Sequence, residues 1–226
     1  QFFEGYIRQA VRTGAGTLDF VANWESSFLE SDFSYAKLSA EILGETKIFN
    51  KNLKIRFVAL DLYGNFPLQR AFYIAGGSPA EAAEANWLYR SEGSLPPVWY
   101  ENHNIGFGGS LNLRGYQGQN IILNNALGFN AELDLMDVSG MLGIGCVQSR
   151  LYGFIDSGII KPYFNSNIDY THMADLGLGI TADFPWIPAS LGDYQMRFDV
   201  PFYVTDPMAG ENNIEFRWLM GFGRSW

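Results

Sequence analysis

Arg114 stands in the run Gly108-Gly109-Ser110-Leu111-Asn112-Leu113-Arg114-Gly115-Tyr116, and acids follow downstream at Glu132 and Asp156. A guanidinium presents a planar fork of donors that pairs bidentately with carboxylates. An arginine carried inward on a long loop can therefore join acids from two strands. Alternation puts Glu132 on the polar side of its segment. It puts Tyr152, Phe154 and Asp156 on one side of theirs and Leu151, Ile155 and Ile159 on the other. Gly115, with Gly108 and Gly109, allows the tight backbone of a tucked loop. The same arginine could equally pair with any inward acid simply to fill space, and both readings stay open at this point.

Other chemistry is sparse. Cys146, in Gly143-Ile144-Gly145-Cys146, is the single cysteine of the chain. That excludes an internal disulfide and a cysteine-only zinc site, and it reads as a small apolar packing residue. His103 and His172 are too few for a metal-ligand set. The Gly143–Gly145 and Gly177–Gly179 pairs are not followed by a helix that would receive a phosphate, so they are not dinucleotide fingerprints. Glu81 with Glu84, or Asp183 with Asp199, lack an activated nucleophile or an associated base and read as loop or inward-facing charge. No catalytic, metal or cofactor-binding residue is expected, no cofactor, and no enzyme activity in this chain itself.

The elements that must position Arg114 follow from composition and period. The chain has 226 residues, the length of one domain or part of one, and 15 Lys+Arg against 24 Asp+Glu give a net charge of -9. That argues against nucleic acid, whose phosphates need clustered basic residues. Aromatics make up 16% and charged residues 17%, with 25 Gly and a mean hydropathy of -0.05. No apolar run approaches the roughly 18 to 20 residues of a membrane-spanning helix.

Period two runs through most of the chain. Leu127, Phe129, Ala131, Leu133 and Leu135 alternate with Gly128, Asn130, Glu132 and Asp134. The same holds for Leu18–Trp24, Ala36–Ile42, Leu176–Phe184, Tyr194–Phe202 and Ile214–Phe222, and more noisily for Leu53–Tyr63. The apparent strands run about 9 to 12 residues, the length that crosses a bilayer at a tilt, whereas strands of soluble proteins average about 5 to 6. Aromatics gather at their ends, as at Phe2, Phe3, Trp24, Phe28, Phe184, Trp186, Phe222 and Trp226. Short connections such as Met136–Gly140 and Pro185–Gly192 alternate with longer ones such as Lys161–Met173. The pattern predicts an all-β, antiparallel transmembrane β-barrel with girdles of aromatics. Pro67–Gln119 lacks alternation and reads as a long inserted loop, within which Pro79–Gly93 has helix-forming composition after a proline start.

The glycine pair followed by Leu113-Arg114-Gly115-Tyr116 resembles the sixth extracellular loop of the outer-membrane insertase and secretion-pore superfamily, the bacterial surface antigen type barrels that include BamA, TamA and the two-partner-secretion transporters. Three further features fall in the family's order: Ala131-Glu132-Leu133, the Phe-x-Asp-x-Gly run Phe154-Ile155-Asp156-Ser157-Gly158, and a terminal strand with Gly221, Phe222 and Trp226. Asp199-Val200-Pro201 is similar to the penultimate strand.

The resemblance implies the last nine or so strands of a 16-stranded barrel, with the long loop tucked into its lumen. Arg114 would reach Glu132 and Asp156 and so hold the assembly-competent form. It also implies a bacterial outer-membrane location and a role in assembling or translocating other proteins. Membrane lipid, nascent or secreted protein substrates, and accessory lipoproteins or complex subunits would be the partners, with no nucleic acid. The alternatives are the membrane-anchoring barrel of a fused N-terminal enzyme, of peptidase or lipase type, and a passive outer-membrane channel. Gln1 and the lack of a signal-like segment after it suggest a processed or truncated chain whose N-terminal strands and any soluble module are absent.

Overall fold

Alternating side chains become extended backbone wherever one side of the segment can be buried and the other cannot. The computed structural model describes residues 2–27, 32–67, 71–74, 111–116, 121–139, 148–163, 171–183, 194–207 and 210–224. Its strands are β1 (Phe2–Thr13), β2 (Gly16–Ser27), β3 (Ser34–Ile48), β4 (Lys51–Asn65), β5 (Phe72–Tyr73), β6 (Ile122–Asp137), β7 (Gln148–Pro162), β8 (Thr171–Asp183), β9 (Tyr194–Val204) and β10 (Leu219–Arg224). All belong to one antiparallel sheet in the order β1-β2-β3-β4-β6-β7-β8-β9-β10, with the short β5 paired to β6. Among the described residues no helix is long and apolar enough to cross a membrane, which does not bear on strands.

The sheet is open. Among the described residues β1 pairs with β2 alone and β10 with β9 alone, so the first and last strands are not neighbours. This corrects the expectation of a transmembrane β-barrel and of a loop tucked into a lumen. Period two specifies which side of each strand is apolar, but closure requires the end strands to pair, and nothing in an alternating pattern encodes that pairing. An integral, multi-pass placement in a bacterial outer membrane falls for the same reason. Hydrocarbon tolerates no unpaired backbone groups, and an open sheet presents a row of them at each edge.

The two sides of the sheet differ sharply. Cross-strand register lines up Ile7, Ala22, Ala40, Ala59, Leu127 and Ile159 in one outward row, and Gln9, Phe20, Ile42, Phe57, Phe129 and Ser157 in the next. Neither row contains a charged residue. Leu127 is 59% exposed and Phe57 52%, and the Phe57 and Phe129 rings lie 5.0 Å apart. Charges return at the margins of this side: Asp61 and Lys161 flank Asn125 in one row, and Lys51 faces Ile48 at the opposite end. The inward side holds the buried polar residues, among them Glu41, Arg56, Asn130, Glu132, Asp156, Asp175, Arg197 and Asp199.

Two short segments lie over that inward side. Leu111 N–H donates to the Tyr73 carbonyl at 3.4 Å and Leu113 N–H to the Ile74 carbonyl at 3.3 Å. Leu111, Leu113, Phe72 and Ile74 thereby cap Val58, Leu60 and Leu62 of β4 and form the apolar core with them. This explains the noise in the β4 pattern: its inward Val58, Leu60 and Leu62 are apolar because they are covered, while its outward Phe57 and Ile55 are apolar as well. The C-terminal alternation is also interrupted. β10 begins at Leu219, whereas Ile214 makes an isolated bridge to Tyr203 and Phe216 is exposed. Arg217 turns back to Glu211 at 3.0 Å and to the Asn212 carbonyl at 2.6 Å, a local closure that competes with the ladder.

Strands β3 and β4 meet in a two-residue turn whose residues, Phe49 and Asn50, have φ of 50° and 61°. Such a turn needs left-handed backbone at both positions and favours Asn-Gly. Replacing Phe49-Asn50 by Asn-Gly is expected to raise stability by about 1 kcal/mol, read as a later urea midpoint with unchanged slope.

Candidate functional site

The inward residues of β6, β7, β8 and β9 converge beneath a single 3-10 turn, Arg114–Tyr116. Arg114 is buried, and its fork spans two strands. Nε and Nη2 donate to the two oxygens of Asp156 at 2.6 and 2.8 Å, and Nη1 donates to Glu132 Oε1 at 2.7 Å. Its guanidinium carbon sits 3.7 Å above the Phe154 ring. Arg197 of β9 donates to the same Glu132 oxygen and to the Tyr152 hydroxyl at 2.6 Å, and that hydroxyl donates to Asp199.

The backbone of the turn is held as well. Gly115 N–H donates to Asp175 Oδ2 at 3.0 Å, and Tyr116 OH donates to the Ala174 carbonyl at 3.1 Å. Gly115 is needed for close approach: a Cβ there would lie 2.5 Å from Val204 Cγ1 and 2.8 Å from Asp175 Cβ. Just before the turn, Asn112 takes a left-handed φ of 59°, a conformation Asn tolerates better than most residues.

Asn130 joins this cluster to a second one. Its Nδ2 donates to Asp156 Oδ1 at 3.0 Å and to the Asn112 carbonyl at 3.1 Å, while its Oδ1 accepts from Arg56 at 3.0 Å. Arg56 in turn donates to Glu41 at 2.9 Å. Segment 111–116 is thus clamped to β4, β6, β7 and β8 through charge-assisted bonds that reach its side chains and its backbone.

Burial raises the Glu132 carboxyl, but Arg197 and Arg114 outweigh it and hold the group down at about 2. Asp175 moves well up, through burial first and the facing Asp156 charge second. Asp199 is also raised, because burial exceeds the pull of Arg197 and Arg114. Burial opposes charge on Arg114 and Arg197, yet the surrounding carboxylates hold both above their usual range.

A depressed carboxyl stabilises the fold above its unfolded pKa, and that stability is lost as pH falls through the folded value. Glu132 therefore makes the protein acid-sensitive from about 4.5 down to about 2. Glu132→Gln is expected to flatten the dependence of the urea midpoint on pH across that window.

The described residues among those singled out from sequence have definite places. The structure brings Arg114, Glu132, Asp156, Leu113, Gly115, Tyr116 and Phe154 together. Gly158 pairs with Gly128, and a Cβ there would lie 3.2 Å from Leu111 Cδ1 and 3.4 Å from Leu113 Cδ1, beneath the same segment. Gly221 and Phe222 lie in β10, opposite Arg197 and Met196. Gly108, Gly109, Trp226, Cys146, His103, Glu81, Glu84 and most of the 67–119 loop, including 79–103, fall outside the described residues. Asp183 bonds Arg150 at 3.2 Å and does not join Asp199. His172 Nε2 lies 2.9 Å from Ser157 Oγ on the outward side, away from the clamp. Arg56, Asn130, Tyr152, Asp175 and Arg197 were not singled out as site residues. Their signal was the inward parity they share with Glu132 and Asp156. Among the described residues no group of His, Cys, Asp and Glu is arranged to hold a metal ion.

No protein-family model, no curated protein and no solved structure matches the chain. With the open sheet, this overturns the resemblance to the outer-membrane insertase and secretion-pore superfamily and the protein-assembly and translocation roles it implied. The anchoring barrel of a fused enzyme and the passive channel required a closed barrel too, and fall with it. The motifs that carried the resemblance are short. In this chain Asp156 takes the arginine fork, Phe154 stacks beneath it, and Gly115 and Gly158 allow the close approach, so the local contacts stand without the family.

Proposed function

We propose that the chain is a non-catalytic, lipid-contacting module. Its outward side lies against the acyl region of a membrane surface, and the clamp fixes segment 111–116 on the opposite side. The observation that carries this reading is the inversion of the sheet: charged residues are buried inward, while adjoining outward rows are uncharged, aromatic or aliphatic, and exposed. Monomeric soluble proteins rarely expose apolar patches larger than a few hundred Å². The open edges give the orientation. The sheet is not closed within the described residues, so it is placed along the interface and not across it. Charges at the margins, Asp61 and Lys161 at one end and Lys51 at the other, suit the same level. Protein partners, whether secreted chains or accessory subunits, would be an alternative cover for the same side.

The test is co-flotation with phosphatidylcholine vesicles. The protein is expected to float, and a net charge of -9 means that anionic lipid does not improve binding. Each large apolar side chain contributes about 1.5–3 kcal/mol on burial, so Phe57→Asp with Leu127→Asp should weaken flotation well over tenfold. Both residues are exposed, so the variant should keep its strand circular dichroism. A folded protein that stays in the bottom fraction as a self-associated species would overturn the lipid reading in favour of a second copy as the cover.

A further inference from the structure

Asp156 and Asp175 are direct cross-strand partners on the inward side of β7 and β8, and both are buried. Their hydrogen bonding is unequal. Asp156 is bonded as an anion: Oδ1 accepts from Arg114 and Asn130, and Oδ2 accepts from Arg114 Nε at 2.6 Å and from the Arg114 backbone N–H at 3.4 Å. Asp175 accepts one N–H, that of Gly115, through Oδ2, while its Oδ1 is buried without a hydrogen-bond partner among the described residues. Two carboxylates facing each other in a dry site cannot both carry charge without large cost.

The neighbouring charges relieve this only in part, because Arg114 pulls Asp175 down less than burial and Asp156 push it up. The segment supplies Arg114, β6 supplies Glu132, β7 supplies Tyr152 besides Asp156, and β9 supplies Arg197 and Asp199. β4 adds Lys54, the cross-strand neighbour of Glu132, so two arginines and a lysine face four acids, and Arg197 is engaged by Glu132 and Tyr152. Beyond Asn130 lie Arg56 and Glu41, which pair with each other.

We propose that segment 111–116 is held by a proton-dependent catch, in which a proton on Asp175 Oδ1 is donated to Asp156 and its loss to solvent releases the segment. With the proton bound, Asp175 gives one hydrogen bond to Asp156 and accepts one from Gly115. The clamp then carries a single negative charge beneath Arg114 at that point. When the proton leaves, Asp175 becomes a second anion against Asp156. The gap closed by Gly115 then opens to water, because hydration is the available way to stabilise the new charge. The sign follows from linkage: a group raised in the folded state stabilises it at low pH, and that stability is lost as pH rises through the folded value. This device does not depend on the lipid reading.

Hydrogen exchange of the Gly115 and Tyr116 amides tests it, with rates corrected for the intrinsic dependence on pH, from about pH 6 to about pH 10. Tyr116 N–H donates to the Leu113 carbonyl at 3.1 Å, so both amides report closure of the turn. In the wild-type chain their protection is expected to fall at least tenfold across the range, while amides of β3 and β4 stay protected. Asp175→Asn supplies a permanent donor to Asp156 and a carbonyl for Gly115, and should keep the turn protected throughout. Wild-type protection that is constant with pH would overturn the proposal, whether or not the variant folds. So would an Asp175→Asn chain that loses protection over the same range as the wild type.

Discussion

Arg114→Ala is expected to lower the unfolding free energy by about 3–5 kcal/mol, the usual consequence of removing one partner from a buried ion pair. The cost comes from what remains. Glu132 keeps Arg197, but Asp156 loses both side-chain donors of its fork and is left with Asn130, a backbone N–H and its neighbour Asp175, none of which carries a positive charge. The Phe154 ring also loses the cation stacked on it. Arg114→Lys should recover little of the loss, because an ammonium cannot bridge Asp156 bidentately and reach Glu132 at once. The check is urea unfolding of both variants in lipid vesicles, with near-wild-type stability of either one counting against the clamp.

Gly177→Val ranks next. Gly177 faces inward on β8, where a Cβ would lie 2.3 Å from Phe154 Cζ and 2.4 Å from the Val200 carbonyl oxygen. The ring can swing aside but the carbonyl belongs to the β8–β9 ladder and cannot. Because Arg114 stacks on Phe154, displacing the ring also tilts the fork away from Asp156. Overpacking costs about 1–3 kcal/mol in itself, and the coupled loss of the clamp adds to it. Gly153→Val is the control, since a Cβ there meets nothing nearer than Leu135 Cδ1 at 3.7 Å. The expected result is a much earlier urea midpoint for Gly177→Val than for Gly153→Val.

These residues show what an alternating sequence does and does not contain. The side on which Tyr152, Phe154, Asp156 and Glu132 fall was legible, because parity is a property of each strand alone. The column in which they meet was not. Arg197 reaches Glu132, and Asp175 faces Asp156, through the register of β6 to β9, which is set by turns and bulges such as the shift between Leu176 and Gly177. The chemistry of Arg114 could be read from its fork and its glycine, yet its full partner set required the sheet. Closure was the costliest misreading. Whether β1 meets β10 depends on residues at opposite ends of the chain, and long strands with one apolar side are equally compatible with an open sheet. The short motifs suggested a family for a similar reason: they report a buried arginine beneath a tight loop, a local contact that leaves the rest of the sheet unspecified.

The central claim is that the sheet is inverted, with its clamp on one side and lipid on the other. Single cysteines at Phe57 and Ile155, which face outward, and at Leu60 and Ala126, which face inward, test it most directly in a Cys146→Ser chain labelled with an environment-sensitive fluorophore. In vesicles containing brominated lipid, labels at 57 and 155 should be quenched by the lipid and protected from aqueous iodide, while labels at 60 and 126 should escape the brominated chains. Iodide quenching at 57 and 155 with no effect of brominated lipid would contradict the account.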